Sequence, residues 1–409
     1  MPQAYCGVLH CFSTIQGEFM STSTNATSKG TMLIATAILA ILVYGMIAAM
    51  LGTLLPALSA KFSLTPEQDT SIAFWQGIGL LIASISVGPL VDIRGKKVGL
   101  LLGLGLIAIA LFMLPTATGY EMTRMLFLLV GLGGGIVVTA GNALAGDINE
   151  ERRSSTLNLL NVFFGLGGIM TPFIASMLGG SAIILCYVIA CLTVVSWLMT
   201  AITPMAPPAG KVGFQLSEVG NILSKPVLWV LAAFLLLYVA AEVGVWNFLV
   251  RHLIAQGIST ETAQSILAWG FALGLMVGRL VASRILIKVA PAVVLAGAAA
   301  SMAVTLYLCL QTPDPTMAAV AVFIAGLAMA PVFPTTLGIT GDCFPRGTAT
   351  AMGIVITFGW LGILVSSPII GSIAGNDATQ YKTALLILPA GAVIMFLLAL
   401  VLKPLAKKG

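Results

Sequence analysis

Apolar residues in this chain neither alternate with polar ones nor recur as a narrow stripe; they run on without interruption. Twelve such runs fall at 31–56, 68–91, 98–115, 121–146, 154–178, 181–203, 227–251, 262–286, 290–311, 316–341, 347–373 and 381–402. A helix needs about 20 apolar residues to cross a hydrocarbon core, and these runs fit that length. They are too long, and too uniformly apolar, for the tilted strands of a membrane barrel. The pattern predicts an all-α membrane protein of twelve transmembrane helices. The longest polar break, Pro204 to Ser224, divides the chain near its middle. The expected organisation is a six-helix bundle over 31–203, a cytoplasmic central loop over 204–225, a second six-helix bundle over 226–403 and a short tail over 404–409. Residues 1–30 lack a charged segment followed by an apolar one, so they read as a disordered cytoplasmic tail and not a signal peptide. Met20 is an alternative translation start.

Composition sharpens the class. The chain of 409 residues is 59% hydrophobic and 8% charged, with a mean hydropathy of +1.07. A water-soluble domain carries roughly a quarter charged residues, so most of this surface must face a lipid bilayer. The net charge of +5 does not point to nucleic acid, because the basic residues sit at span ends and in short loops. With both termini in the cytoplasm, fifteen of the nineteen basic residues, Arg279 among them, fall inside, and only Lys61, Arg124, Arg251 and Lys382 fall outside. That bias sets the expected orientation in a plasma (bacterial inner) membrane. The six cysteines are scattered and there are two histidines, so no metal site is expected. Trp197 and Trp229, near span ends, read as interfacial anchors.

The two halves repeat each other at an offset of about 194 residues. Tyr44 matches Tyr238, Gly131-Leu132 matches Gly326-Leu327, and Gly146-Asp147 matches Gly341-Asp342. Arg152-x-Ser-x-Thr156 matches Arg346-x-Thr-x-Thr350, and Phe164-Gly165 matches Phe358-Gly359. A duplicated bundle can rock about a site between its repeats. Between spans 2 and 3 the turn reads Gly88-Pro-Leu-Val-Asp92-Ile-Arg94-Gly95-Lys96-Lys97, with a worn copy, Gly278-Arg279-Leu-Val-Ala282-Ser-Arg284, in the second half. This turn resembles the signature loop of the major facilitator superfamily. The resemblance covers the chain from about residue 31 and implies that family's fold, two six-helix halves around a central cavity. A gating role is expected for Gly88, Asp92 and Gly95, with Asp92 docking on the partly positive N-terminus of span 11. The same gating role is expected for Asp147 with Arg152 or Arg153, and for Asp342 with Arg346, as ion pairs at the same face.

Glu242 stands near the middle of span 7, in Tyr238-Val-Ala-Ala-Glu-Val-Gly-Val-Trp246-Asn247. An acid at that depth is costly to keep and marks an ion or substrate path; proton carrier and substrate acceptor are both open roles. Tyr238-x-x-x-Glu242, the Trp269-Gly-x-x-x-Gly274-x-x-x-Gly278-Arg279 run, and the Gly-rich span 4 ending Thr139-Ala-Gly-Asn142 together look like the fucose/galactose/glucose–proton symporter branch, as does Leu157-Asn158-Leu-Leu-Asn161 in span 5. That resemblance implies that Asn142, Asn158 and Asn161 line a sugar site. Amides carry both donors and acceptors for hydroxyl groups, and aromatic faces wall a ring. Gln76 beside Trp75, Tyr238, Glu242, Trp246, Asn247, Trp269 and Trp360 are further substrate-binding candidates. The chain departs from the branch where Val138 stands in place of an acid and span 1 has none, so coupling through Glu242, by sodium, or not at all remains open.

The glycine runs Gly103-Leu-Gly105 and Gly131-Leu-Gly-Gly-Gly135 lack a phosphate-binding lysine and a strand before them. They read as close helix approaches, and ATP-driven pumping is not supported. With no nucleophile–base pair or metal cluster, an enzyme is not expected, and no cofactor is implied. The expected function is secondary transport of a small polar solute, foremost a monosaccharide, by a monomer. The alternative is a multidrug or other small-molecule efflux carrier of the same fold.

Overall fold

The computed structural model describes residues 24–178, 181–205, 215, 217–311, 314–375 and 380–405. Among the described residues, twelve helices are long and apolar enough to cross a membrane: Gly30–Leu55, Ser71–Arg94, Lys96–Thr116, Tyr120–Ile148, Arg153–Met177, Ala182–Ile202, Pro226–Ala255, Thr260–Ile285, Pro291–Cys309, Pro315–Cys343, Thr348–Ala374 and Tyr381–Leu402. They are spans 1 to 12 below. No strand occurs among the described residues. Twelve crossings bring the start of span 1 and the end of span 12 to one face, the terminus face.

Two boundaries differ from expectation. Helix begins at Thr24 and continues to Phe62, so the end of the expected N-terminal tail is already helical; the rest of the tail lies outside the described residues. The central loop carries a short helix, Glu218–Leu223, just before span 7, and residues 206–214 and 216 lie outside the described residues. Span 7 begins at Pro226, a proline suited to the first helical turn, where its missing N–H has no helical partner to lose.

Each half packs by the same plan. Span 1 lies on span 5 and span 6, span 2 on span 4, and span 3 on spans 4 and 6. Correspondingly, span 7 lies on spans 11 and 12, span 8 on span 10, and span 9 on spans 10 and 12. The repeat-matched glycines explain the close pairs. A Cβ on Gly131 of span 4 would collide with the Gln76 carbonyl of span 2. A Cβ on Gly326 of span 10 would stand 2.6 Å from the Phe271 carbonyl of span 8. Lipid supplies no hydrophobic drive between helices, so such backbone-to-backbone approach is a main source of cohesion. Between the halves, spans 2 and 11 form one seam and spans 5 and 8 the other, with span 5 also touching span 10.

Span 8 and span 10 are not regular. Span 8 contains a π-helical turn at Ile266–Phe271, a widened turn of the kind that recurs at functional sites. Span 10 is interrupted between Met329 and Val332, at Pro331, which cannot donate its backbone N–H.

The packing makes a direct prediction. Gly131→Val or Gly326→Val should lower the thermal midpoint of detergent-purified protein by several degrees, since overpacking costs about 1–3 kcal/mol. Gly297→Ala, where nothing lies within 4 Å of the added carbon, should leave the midpoint unchanged or raise it. Equal midpoints for all three variants would contradict this packing.

Candidate functional site

The terminus face is where the halves meet most tightly, and span 2 is built for that contact. It ends at Gly95, whose φ of 93° is strained for any residue with a side chain. That turn sends the chain straight into span 3 and leaves Asp92 on the last turn of span 2. One turn earlier, a Cβ on Gly88 would lie 2.5 Å from the Thr350 Cα, so only glycine lets span 2 reach the start of span 11. Asp92 then sits on that helix start. Its Oδ1 accepts from the Ala349 amide at 3.0 Å, and its Oδ2 accepts from the Thr350 amide and hydroxyl, each at 2.7 Å. These are first-turn amides with no partner inside their own helix, and the helix dipole favours the carboxylate.

Beside this contact Asp147 pairs with Arg153, one of its two expected partners, while Asp342 pairs differently from expectation. Arg153 is 4% exposed and donates from Nε to the Gly146 carbonyl at 3.1 Å. Its guanidinium lies 3.3 Å from Asp342 of the other half and 4.0 Å from Asp147. Lys96 pairs with Asp147 as well. Arg152 and Arg346 are exposed, and Asp342 pairs with Arg153, not Arg346. The reason is geometric. Arg153 packs between the repeat-matched Gly146 and Gly341, and its repeat counterpart is Gly347, so one arginine fills a place that two could not share.

Deeper in, a chain of polar side chains crosses the 5/8 seam. Asn161 of span 5 donates from Nδ2 to Asn142 Oδ1 of span 4 at 3.0 Å. Arg279 of span 8, 4% exposed, donates from NH1 to the Asn161 carbonyl at 3.0 Å, and its guanidinium lies 5.6 Å from the centre of the Phe164 ring. Within its own half Arg279 interacts electrostatically with Glu242 and Tyr238. Tyr44 of span 1 feels Glu242 too and lies against Phe164, ring centres 5.4 Å apart. Spans 1, 4, 5, 7 and 8 thus converge on a polar and aromatic region that begins about two turns in from the terminus face, at Asn142, Asn161 and Arg279, and reaches the middle of spans 1 and 7 at Tyr44 and Glu242.

The other sequence candidates fall elsewhere. Asn158 bonds Thr335 of span 10 at 2.9 Å, a cross-half contact nearer the terminus face. Trp360 donates to the Ser84 hydroxyl at 3.1 Å, closing the 2/11 seam at mid-depth. Gln76 is buried where span 2 meets span 4, about two turns beyond Ser84 and away from the asparagines. Trp246 and Trp269 are exposed, as is Asn247, and they lie toward the opposite face. Trp197 is more than an interfacial anchor, since its Nε1 donates to the Leu101 carbonyl of span 3 at 3.0 Å.

Sequence reasoning missed Arg279, which it counted among the terminus-face charges. Its place inside the apolar run 262–286 is close to the end of that run, where a basic residue reads as a span-end charge. It named Arg153 for Asp147 but not for Asp342, and it missed Thr350, Ser84 and Thr335 as partners; single hydroxyls among many carry no signal of their own.

A family model described as Major Facilitator Superfamily matches residues 37–251 and 242–409. Among solved structures, the Escherichia coli fucose:proton symporter FucP superposes with a TM-score of 0.79 at 18% identity, over 90% of this chain and 98% of that one; its outward conformation gives 0.80. The proton:xylose symporter XylE, bound to 6-bromo-6-deoxy-D-glucose, gives 0.76 at 12% identity, over 91% of this chain and 95% of that one. A TsgA homolog from Erwinia tasmaniensis is 22% identical over 362 residues, 88% of this chain and 91% of that protein.

The Arg153 geometry is testable on its own. Arg153→Ala removes a buried side chain that bonds the Gly146 carbonyl and packs between Gly146 and Gly341, and should cost about 1–3 kcal/mol of stability. Arg152→Ala, at an exposed position, should stay within about 0.5 kcal/mol. Thermal unfolding in detergent reads both; a larger loss for Arg152→Ala would contradict the assignment.

Proposed function

The chain belongs to the Major Facilitator Superfamily of transporters, and from that membership we propose that it carries a small polar solute, foremost a monosaccharide, across a plasma membrane by alternating access. The reading rests above all on the polar region inside the membrane: Asn142, Asn161, Arg279 and Glu242, flanked by the rings of Tyr44, Phe164 and Tyr238. Amides and charged groups at that depth are expensive unless they serve a solute or an ion, and they suit hydroxyl-rich ligands better than lipophilic ones. The fold shared with two sugar:proton symporters is consistent with this class of substrate.

The terminus face is taken as cytoplasmic from the bias of basic residues. The inter-half bonds described above lie between that face and mid-membrane, so the conformation is closed to the cytoplasm. Asp92 on span 11, with Arg153 on Asp342, acts as the gate, and Gly88 and Gly95 shape it. Asn158 belongs to the same closure through Thr335, and Trp360 to the upper edge of the 2/11 seam. Trp246, Asn247 and Trp269 line the outward approach, and Gln76 stands at its side. Glu242 is the coupling residue, for a proton or a sodium ion. The carrier works as a monomer, each half serving as one arm of the rocking motion.

Purified protein in proteoliposomes, given labelled glucose, galactose and fucose with a proton gradient, a sodium gradient or neither, tests the reading. Accumulation that depends on one gradient is the expected result; no uptake of any sugar by folded protein would overturn the sugar assignment. Glu242→Gln should abolish accumulation while sparing exchange, and undiminished accumulation would remove Glu242 from coupling. Asp92→Asn should slow turnover about tenfold or more with little change in apparent affinity, since a charge-assisted bond set contributes roughly 1.5–3 kcal/mol. A pure affinity loss would contradict gating.

A further inference from the structure

The two seams between the halves are built differently. At 2/11 the backbones themselves meet. A Cβ on Gly88 would lie 2.5 Å from the Thr350 Cα, and one on Gly353 of span 11 would collide with the Ser84 carbonyl of span 2. Ser84 is fully buried there, and its hydroxyl accepts from the Trp360 indole at 3.1 Å. At 5/8 no described glycine meets the backbone of the other half. A Cβ on Gly165 of span 5 would touch only side chains of span 8, Arg279 NH1 at 3.9 Å and Met276 Cβ at 4.0 Å. Gly278, the counterpart of Gly88, turns to Leu327 and Ala330 of span 10, inside its own half. Leu159 stands where the repeat of Gly353 would fall. The hydrogen bonds that close 5/8 are single and made by side chains, Ser155 to the Ser283 carbonyl and Arg279 to the Asn161 carbonyl.

Backbone contact through glycine is cohesive inside a membrane. Two helices held this way can turn against each other and stay together, because no side chains have to disengage. Separate side-chain bonds break one at a time. Spans 4 and 10 stand between the seams, span 4 against spans 2 and 5, and span 10 against spans 8 and 11. A rotation about 2/11 is therefore largest at 5/8. We infer that Gly353 is a positioning residue that makes the 2/11 seam the pivot of the rocking motion, with the 5/8 seam as the side that opens. Asp92 lies about 12 Å along span 2 from Ser84, so it moves on a short lever. Its bonds break, while the helices beside it part by only a few ångströms. The inference rests on the alternating-access reading above, but not on the identity of the solute.

Spin labels on the full chain measure both seams without a solute. In a background with the six native cysteines replaced, Arg94→Cys with Arg346→Cys spans 2/11 at the terminus face. Arg152→Cys with Lys288→Cys spans 5/8, and all four positions are exposed. Asp92→Asn, which weakens the latch of the 2/11 seam itself, is the trigger. The 5/8 distance should still lengthen about twice as much as the 2/11 distance, or more, because at least one helix, about 10 Å across, stands between 5/8 and the pivot. Equal shifts, or a larger one across 2/11, overturn the inference and leave alternating access standing. No shift at either seam overturns both. Gly353→Ala, added to Asp92→Asn, should make the two shifts equal, since the new carbon forces the pivot apart. Gly362→Ala crowds the same span against the Leu236 carbonyl of its own half and should leave the two shifts unequal. An unchanged ratio in Gly353→Ala, or the same loss of asymmetry in Gly362→Ala, overturns the role of Gly353. Should Gly353→Ala not yield monodisperse protein, the comparison of the two seams in Asp92→Asn decides.

Discussion

A carboxylate from one half rests on the opening amides of a helix from the other, and the closed terminus face is organised around that contact. Asp92 can make it because Gly88 removes a side chain from the approach and Gly95 turns the backbone sharply behind it. Three charge-assisted bonds at one residue are strong in a site shielded from water. They are also all-or-none: once the helices part by a few ångströms, every one is lost. That combination suits a contact that must be firm in one state and absent in the next.

The internal duplication explains most of the architecture, and its exceptions mark the places that do something different. Matched glycines give matched helix pairs in both halves. The symmetry fails at Arg153, whose counterpart is Gly347, and at Asp92, whose place in the worn second copy is taken by Ala282. The 5/8 seam is therefore held without a docked carboxylate. Ser155 donates to the Ser283 carbonyl at 2.6 Å, Asn158 bonds Thr335, and Arg279 bonds the Asn161 backbone. One seam is closed by a carboxylate docked on a helix start, and the other by weaker bonds and a buried arginine. A transporter needs its halves to part, and the second seam is the one that runs up to Asn161 and Arg279.

Much of this was legible in the residues. Run length alone gives twelve spans, because a helix crossing hydrocarbon has few ways to hide charge. The docking of Asp92 could be anticipated from its place at a span end opposite a helix start. Three things were not legible. Arg279 reads as one more basic residue near a span end until its neighbours across the seam are known. Arg152 and Arg153 are adjacent and chemically identical, and only the helical phase of span 5 turns one inward. Gln76, Trp246, Asn247 and Trp269 have the chemistry of a binding site, but depth along a helix separates them from the asparagines, and sequence pattern carries no distance between helices.

The central claim is that the two halves rock, closing one face as the other opens. Spin labels on exposed positions of both halves measure this most directly: Arg152→Cys with Arg346→Cys on the terminus face, and Glu121→Cys with Glu261→Cys on the opposite face. Pulsed dipolar spectroscopy gives both distance distributions under the same conditions. The account predicts reciprocal shifts on adding Asp92→Asn, with the terminus-face distance lengthening as the opposite-face distance shortens. Distances that stay fixed, or that lengthen together on both faces, would contradict it.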